Sequence, residues 1–293
     1  MKKRNRLCWA AYGVLAMATL AIAGAWSAGL LLIHPAQRAI GAPPDDLPIQ
    51  PVIFASNSGS LIHGWFMAGT AGHGAVLLLH GVRANRLSML DRARLLRTAG
   101  YSVLLIDFQA SGESQGQAIS FGYRESQDAQ AAVEQLRRLA PHERIGIIAT
   151  SMGAAAVLLA EPAIKVDAMV LEQVYPTIEQ ALNDRLALHA GAMGRWLAPA
   201  LLATLRPHLG ISAAELRPID KIPYITAPKL LIAGDHDRHT RMDESLSIFT
   251  AAAKPKQLWI VHGAEHVDLY RHAGNDYAVH VLAFLDAWLR QRK

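Results

Sequence analysis

From residue 52 onward the chain alternates short runs rich in Val, Ile and Leu with longer segments in which apolar residues recur every three or four positions. Near-continuous apolar runs are what strands buried on both faces require, and helix-length segments between them carry a chain from one parallel strand to the next. The runs predict strands over residues 52–56, 61–67, 75–80, 102–107, 145–150, 168–172, 229–234 and 257–262. The first two flank the turn cluster Asn57-Ser58-Gly59-Ser60 and read as a hairpin. The other six are separated by helical patterns, among them 86–99 and 123–139, which end near Gly100 and Pro141. The expectation is an α/β fold with a mostly parallel eight-stranded sheet and helices on both faces. One interval is too long for a simple crossover: 56 residues separate Glu172 from Lys229. Two amphipathic stretches, 178–189 and 194–205, mark it as a small helical lid spanning about 174–222.

The N-terminus is of another kind. Residues 7–33 form a run of 27 without a charge, preceded by Lys2, Lys3, Arg4 and Arg6. A cleavable signal has an apolar stretch of roughly 7–15 residues, whereas a spanning helix needs about 20. Length therefore points to one uncleaved transmembrane signal anchor over 7–33, with Ala23-Gly24-Ala25 leaving cleavage as the alternative. The basic flank, residues 1–6, holds the N-terminus in the cytoplasm and sends the body across, placing it on the periplasmic or other extracytoplasmic face of the cell (inner) membrane. Residues 34–51, with Pro35, Pro43, Pro44, Pro48 and Pro51, read as a Pro-rich linker to a domain over 52–293. The single cysteine, Cys8, lies inside the anchor, so the body carries no thiol to mispair.

With 52% hydrophobic and 18% charged residues in 293, the chain is neither disordered nor disulfide-built, and its length suits one α/β domain with the anchor added. The net charge of +5 does not describe the body. Five basic residues, Lys2, Lys3, Arg4, Arg6 and Arg38, precede the first acid, Asp45, and the remainder balances at 24 of each sign. Phosphate recognition needs a basic patch that this body lacks, so no nucleic-acid partner is expected.

The sharpest local signal is Ile147-Ile148-Ala149-Thr150-Ser151-Met152-Gly153-Ala154, an apolar strand running through a serine turn into a small-residue helix. It resembles a nucleophile elbow, in which a strained turn lifts the serine hydroxyl clear of the sheet and small residues stand two before and two after it. Gly153 meets that need and Ala149 replaces the other glycine with the smallest possible addition. An ordinary strand-to-helix turn with an N-capping Ser or Thr is the alternative. A serine needs a base and the base an orienting acid. Asp235 and Asp237 follow the run 229–234, and His262 and His266 follow the last strand. The order Ser151, Asp237, His266 is the Ser…Asp…His order of α/β hydrolases.

On these residues the chain from about residue 52 to its end, some four-fifths of its length, resembles the α/β-hydrolase superfamily, most closely small serine hydrolases of the dienelactone-hydrolase and membrane-anchored abhydrolase type. Leu79-His80-Gly81-Val82 is similar to the family's His-Gly turn, which implies that the Val82 and Met152 backbone N–H groups form the oxyanion hole. Residues 107–116 are similar to an Asp-x-Arg-Gly-x-Gly-x-Ser-x-Gly loop, with Gln109 and Ala110 replacing Arg and Gly, which alters the loop's ion pairing. The resemblance places the acid three residues after the strand's glycine, Gly234, and so prefers Asp237 to Asp235.

What the resemblance implies is a serine hydrolase cleaving a carboxylic ester or thioester through an acyl-enzyme, with a small-molecule ester or acyl substrate, an acyl lipid among the candidates. The same triad serves a peptidase or amidase, and a catalytically silent scaffold keeps the fold without the chemistry. The apolar lid suits either an acyl chain or plain packing on the domain below. His236, His239, His262 and His266 with their neighbouring acids match no zinc spacing, and no phosphate loop or dinucleotide fingerprint is present, so neither metal nor organic cofactor is expected. Glu172, at a strand end, reads as structural before it reads as an alternative acid.

Overall fold

The computed structural model describes residues 2–291. Eight strands form the main sheet: β1 (Gln50–Ala55), β2 (Leu61–Met67), β3 (Ala75–Leu79), β4 (Ser102–Ile106), β5 (Ile145–Thr150), β6 (Ala168–Glu172), β7 (Lys229–Gly234) and β8 (Lys256–Val261). Their order across the sheet is β1-β2-β4-β3-β5-β6-β7-β8. Only β2 runs antiparallel to its neighbours, pairing β1 on one side and β4 on the other; from β4 to β8 every pairing is parallel. A separate two-stranded pairing joins Ala36–Gln37 to Ser111–Gly112.

The apolar strands have no wet face because both are covered. Leu77, Leu104, Ile147 and Met169 point into one core, while their neighbours Val76, Val103, Ile148 and Val170 point into the other. Helices α3 (Tyr123–Leu139) and α4 (Met152–Leu159) cover the first face with Ala132, Val133 and Ala155. Helices α2 (Leu90–Thr98) and α9 (Asn275–Leu289) cover the second with Leu96, Phe284 and Leu285. Between β6 and β7 the chain leaves the sheet in a helical excursion built mainly from α5 (Ile178–Gly194), α6 (Ala198–Ala203) and α7 (Leu205–Leu209).

The N-terminal helix α1 (Lys2–Ile33) stands out from the body over most of its length, with Leu15, Leu20 and Ile22 exposed. The 22 residues Tyr12–Ile33 are long and apolar enough to cross a membrane. Its end is seated on the body. Trp26 packs at a tilt against His208 of α7, 4.2 Å between ring centroids, and Ile33 is buried. Residues 34–51 lie along the body, with a turn at residues 45–47. Ala36 N–H donates to Ala110 (2.8 Å) and Arg38 N–H to Gly112 (2.8 Å), while Ile40, Leu47 and Ile49 pack on the second core.

The parallel strands carry their loops out of the sheet on one side, at their C-terminal ends. In an open α/β sheet that edge is where ligands bind. It is also where the backbone departs from ordinary geometry. Among the described residues, five non-glycine residues have positive φ, and four of them, Arg83, Ala110, Ser151 and Gln173, follow β3, β4, β5 and β6.

Candidate active site

Ser151 occupies the turn between β5 and α4 at φ 52°, ψ −115°, a strained conformation for an L side chain. The first turn of the helix that follows is packed tightly on β3. A Cβ at Gly153 would lie 2.7 Å from the His80 carbonyl oxygen and 2.8 Å from that of Leu79, so only glycine lets α4 start this close to β3. Ala149, the exchanged position, is fully buried in the first core, where its methyl fits without displacing the turn.

β7 ends at Gly234, where an added Cβ would collide with the Ala264 backbone; the loop carrying Asp237 thus lies directly on the loop carrying His266. Asp237 is almost wholly buried, and its carboxylate is saturated. Oδ1 accepts from the His239 (2.8 Å) and Thr240 (2.9 Å) N–H groups. Oδ2 accepts from Gln173 Nε2 (3.1 Å) and stands 2.8 Å from His266 Nδ1. With Nδ1–H donated to a carboxylate, the imidazole presents an unprotonated Nε2, which lies 3.3 Å from Ser151 Oγ. Sequence positions 151, 237 and 266 are therefore brought into one chain of contacts at the C-terminal ends of β5, β7 and β8.

The other aspartate goes elsewhere. Asp235 receives the Gly263 N–H (2.7 Å) and lies 2.9 Å from Nδ1 of His262, a ring almost fully exposed that lines neither cavity at the serine. Glu172 is fully buried and bound by Arg92 (3.1 and 2.8 Å), Thr150 (2.9 Å) and the Tyr277 hydroxyl, so it braces the floor beneath the serine turn and has no contact with His266. No group of three or more His, Cys, Asp or Glu suited to hold a metal is present among the described residues.

Val82 and Met152 flank the serine. β3 and β5 are neighbours in register, Leu79 opposite Ala149, which sets the turn after β3 beside the turn after β5. His80 fixes that first turn: its Nδ1 donates to Gly81 (2.7 Å), while its Nε2 accepts from Phe108 N–H (3.1 Å). Burial holds the His80 ring below its ordinary pKa, in the neutral form this arrangement needs. Neither the Val82 nor the Met152 N–H makes a backbone hydrogen bond among the described residues. Both residues line the cavity above Ser151.

Residues the sequence reading passed over complete the surroundings. Gln173, directly after β6 at φ 50°, joins the acid loop to the base loop, since its Nε2 donates to Asp237 and also to the Glu265 carbonyl (2.8 Å). A polar residue at a strand end is the one signal that marked it. Arg185 of α5 faces the site with no hydrogen bond or ion pair among the described residues, and burial presses it below its ordinary pKa against the opposing pull of Tyr175 and Asp237. In the 107–116 loop, Gln109 donates to Glu125 (2.7 Å) and Ala118 (2.6 Å), and Asp107 pairs with Arg86 (2.5 Å) instead. Ala110 takes the left-handed conformation, φ 57°, that a glycine would adopt freely.

Two cavities meet at Ser151. One is apolar and is lined by Phe121, Tyr175, Ile178 and Leu182 together with residues of α1, α6 and α7. The other is lined by Ser88, Arg92, Gln173, His266 and Asp268 together with the apolar Ala84, Met89 and Val267. Val82 and Arg185 border both.

The family whose model matches residues 70–216 is described as serine aminopeptidase, S33, an α/β-hydrolase family. The chain belongs to this family. Among curated relatives of the hydrolase, the uncharacterised YqkD of Bacillus subtilis is 27% identical over 238 residues, 80% of this chain and 78% of its own. The uncharacterised YfhR of Escherichia coli is 22% identical over 252 residues, 83% and 82% of the two chains. Among solved structures, the esterase Pf2001 of Pyrococcus furiosus shares the fold with a TM-score of 0.73, covering 88% of the hydrolase and 98% of its own chain at 21% identity. The α/β hydrolase GrgF of Penicillium sp. sh18 does so at 0.66, covering 83% and 99% at 20% identity.

Proposed function

We propose that this hydrolase is a membrane-anchored serine esterase that cleaves carboxylic esters or thioesters through Ser151, His266 and Asp237. The observation that carries this reading is the relay itself: His266 Nε2 is 3.3 Å from Ser151 Oγ while its Nδ1 is 2.8 Å from a buried, saturated aspartate. A spacing of 3.3 Å suits a free enzyme, in which catalytic hydrogen bonds are often long and tighten with substrate.

Ser151 Oγ attacks the acyl carbonyl as His266 Nε2 takes its proton, and Asp237 stabilises the imidazolium that forms. The carbonyl oxygen becomes an oxyanion held by the Val82 and Met152 N–H groups, donors that need no reorganisation because the turn and the start of α4 already hold them. His266 returns the proton to the leaving alcohol or thiol, leaving an acyl-serine. Water then attacks that ester, giving its proton to His266 and through it to Ser151 as the acid departs.

The composition of the cavities favours an ester over a peptide amino terminus. An aminopeptidase must hold a substrate ammonium, yet among the described residues the one carboxylate lining either cavity is Asp268, which Arg92 occupies at 2.9 Å. The cation bordering both cavities is Arg185, which repels an ammonium. A silent scaffold, for its part, would gain nothing from the strain held at Ser151 and Gln173.

α1 anchors the enzyme over residues 7–33 with its basic flank, 1–6, in the cytoplasm, which puts the hydrolase domain, 52–293, outside. Residues 34–51 connect the two, and the helical excursion within about 174–222 is the lid. Full-length protein in detergent micelles should turn over p-nitrophenyl esters in preference to aminoacyl amides, and Ser151→Ala should abolish both. Preference for the amides would replace the esterase reading with the peptidase one.

A further inference from the structure

We propose that the membrane helix is itself a wall of the acyl-binding site, and that the substrate is a single-chain, long-acyl ester drawn from the bilayer. The inference rests on the serine-esterase reading and adds the identity of the acyl subsite. The apolar cavity that begins at Ser151 is closed on its far side by Gly29, Leu32 and Ile33, the last turns of α1. It is a narrow slot of about 70 Å³ with a mainly apolar lining.

An anchor that served only as a tether would not need to be built into the body this way. Ile119 N–H donates to the Ile33 carbonyl (2.8 Å), and the Arg83 guanidinium donates to the carbonyls of Leu31 and Leu32, the free end of the helix. Upstream, α1 meets the lid so closely at Gly29 that any Cβ there would collide with Thr204. Arg83 directly follows Val82 and takes φ 57°, so the residue that grips the helix end also shapes the turn of the oxyanion donor.

The two cavities assign the two halves of the substrate. The one closed by α1 takes the acyl chain, whereas the one onto which His266 opens, with Ser88 and Gln173, takes the alcohol side on which His266 must act. With the second cavity given to the alcohol side, the first accommodates one chain. Because its wall is a helix whose outer surface is exposed apolar side chains, the route from that cavity leads to the acyl region of the membrane without crossing water.

The test uses the full-length hydrolase in nanodiscs and the ratio of kcat/KM for p-nitrophenyl laurate to that for the butyrate. Each methylene buried in the wall contributes about fourfold in rate, so the wild-type ratio should be large. Leu32→Trp fills the cavity and should lower the ratio about tenfold or more. Leu32→Ala enlarges it and should shift the preferred chain to a longer one, which keeps the proposal testable if the tryptophan variant does not fold. Leu20→Trp, on the exposed surface of α1, should leave the ratio as in wild type. An unchanged ratio in both Leu32 variants, or the same loss in Leu20→Trp, overturns the wall while wild-type ester turnover still stands. Absence of any Ser151-dependent turnover overturns instead the esterase reading beneath it. For the source, a monoacyl glycerophospholipid dissolved in the same nanodisc should be cleaved faster than the same lipid offered on a cyclodextrin carrier. Equal rates from the two overturn delivery from the bilayer.

Discussion

Gln173 donates from Nε2 to Oδ2 of Asp237 at 3.1 Å, the same oxygen that stands 2.8 Å from His266 Nδ1. The second hydrogen on that nitrogen serves the Glu265 carbonyl, one residue before the histidine. One amide therefore sets both the orientation of the acid and the position of the base. Hydrogen bonds to charged groups are worth about 1.5–3 kcal/mol, so Gln173→Ala should lower kcat by roughly 10- to 100-fold, with a smaller effect on KM. Steady-state kinetics on a soluble ester reads the split; a change confined to KM would remove Gln173 from this positioning role.

Asp237→Asn should be more severe, because the carboxamide no longer holds the tautomer with Nε2 free. A loss of about 10³–10⁴ in kcat is expected, with folding retained by near-UV circular dichroism. Asp235→Asn should change kcat by less than about twofold, since its contacts are to His262 and Gly263 alone. Equal losses in the two variants would contradict the assignment of the acid.

The floor under the serine turn is an ion pair in the interior. Arg92 and Glu172 are almost fully buried at 2.8 Å, with Asp268 completing the guanidinium's partners at 2.9 Å. Removing one member leaves the other charge stranded, so Arg92→Met should destabilise the fold by about 3–5 kcal/mol in urea titrations. Arg92→Met combined with Glu172→Gln should recover part of that loss. A single variant as stable as wild type would show that the pair does not brace the site.

Much of the fold was legible because the central strands are buried on both faces and therefore written as continuous apolar runs. All eight runs form strands, with bounds shifted by at most two residues, as at Gln50–Ala55 and Lys256–Val261. The serine turn was legible too, since Gly153 is demanded by the backbone of β3 pressing on it. What stayed hidden was whatever depends on elements distant in sequence. Nothing local in α1 announces that Gly29 fits Thr204 or that Leu32 reaches a cavity bordered by Ser151, and nothing local in Gln173 names its two acceptors. The exchange at Gln109 reads as a broken ion pair, but spatial neighbours supply the substitute: Gln109 bonds Glu125, and Arg86 takes the charge of Asp107.

The helical excursion is tied to the body by two acids and an arginine. Asp184 of α5 lies 3.6 Å from Arg241, just before α8 (Met242–Ala251), and Glu244 of α8 accepts the Arg241 N–H at 3.1 Å. Burial first, and the Asp184 carboxylate second, push the Glu244 carboxyl from its ordinary 4.5 up to about 7. The folded state thus keeps a proton that the unfolded chain releases near pH 4.5, so this contribution is complete below about 4.5 and is lost as pH rises through about 7. The wild type's Tm, measured against Glu244→Gln, should fall across that window. A difference that grows with pH would contradict the assignment.

The most direct test of the central claim is labelling by a fluorophosphonate, which reacts with serines made nucleophilic by a base. Full-length wild type in detergent micelles should become labelled, with the adduct mapped to Ser151 by mass spectrometry, and Ser151→Ala should remain unlabelled. A folded wild type that takes no label, or a label that persists in Ser151→Ala, would contradict the account.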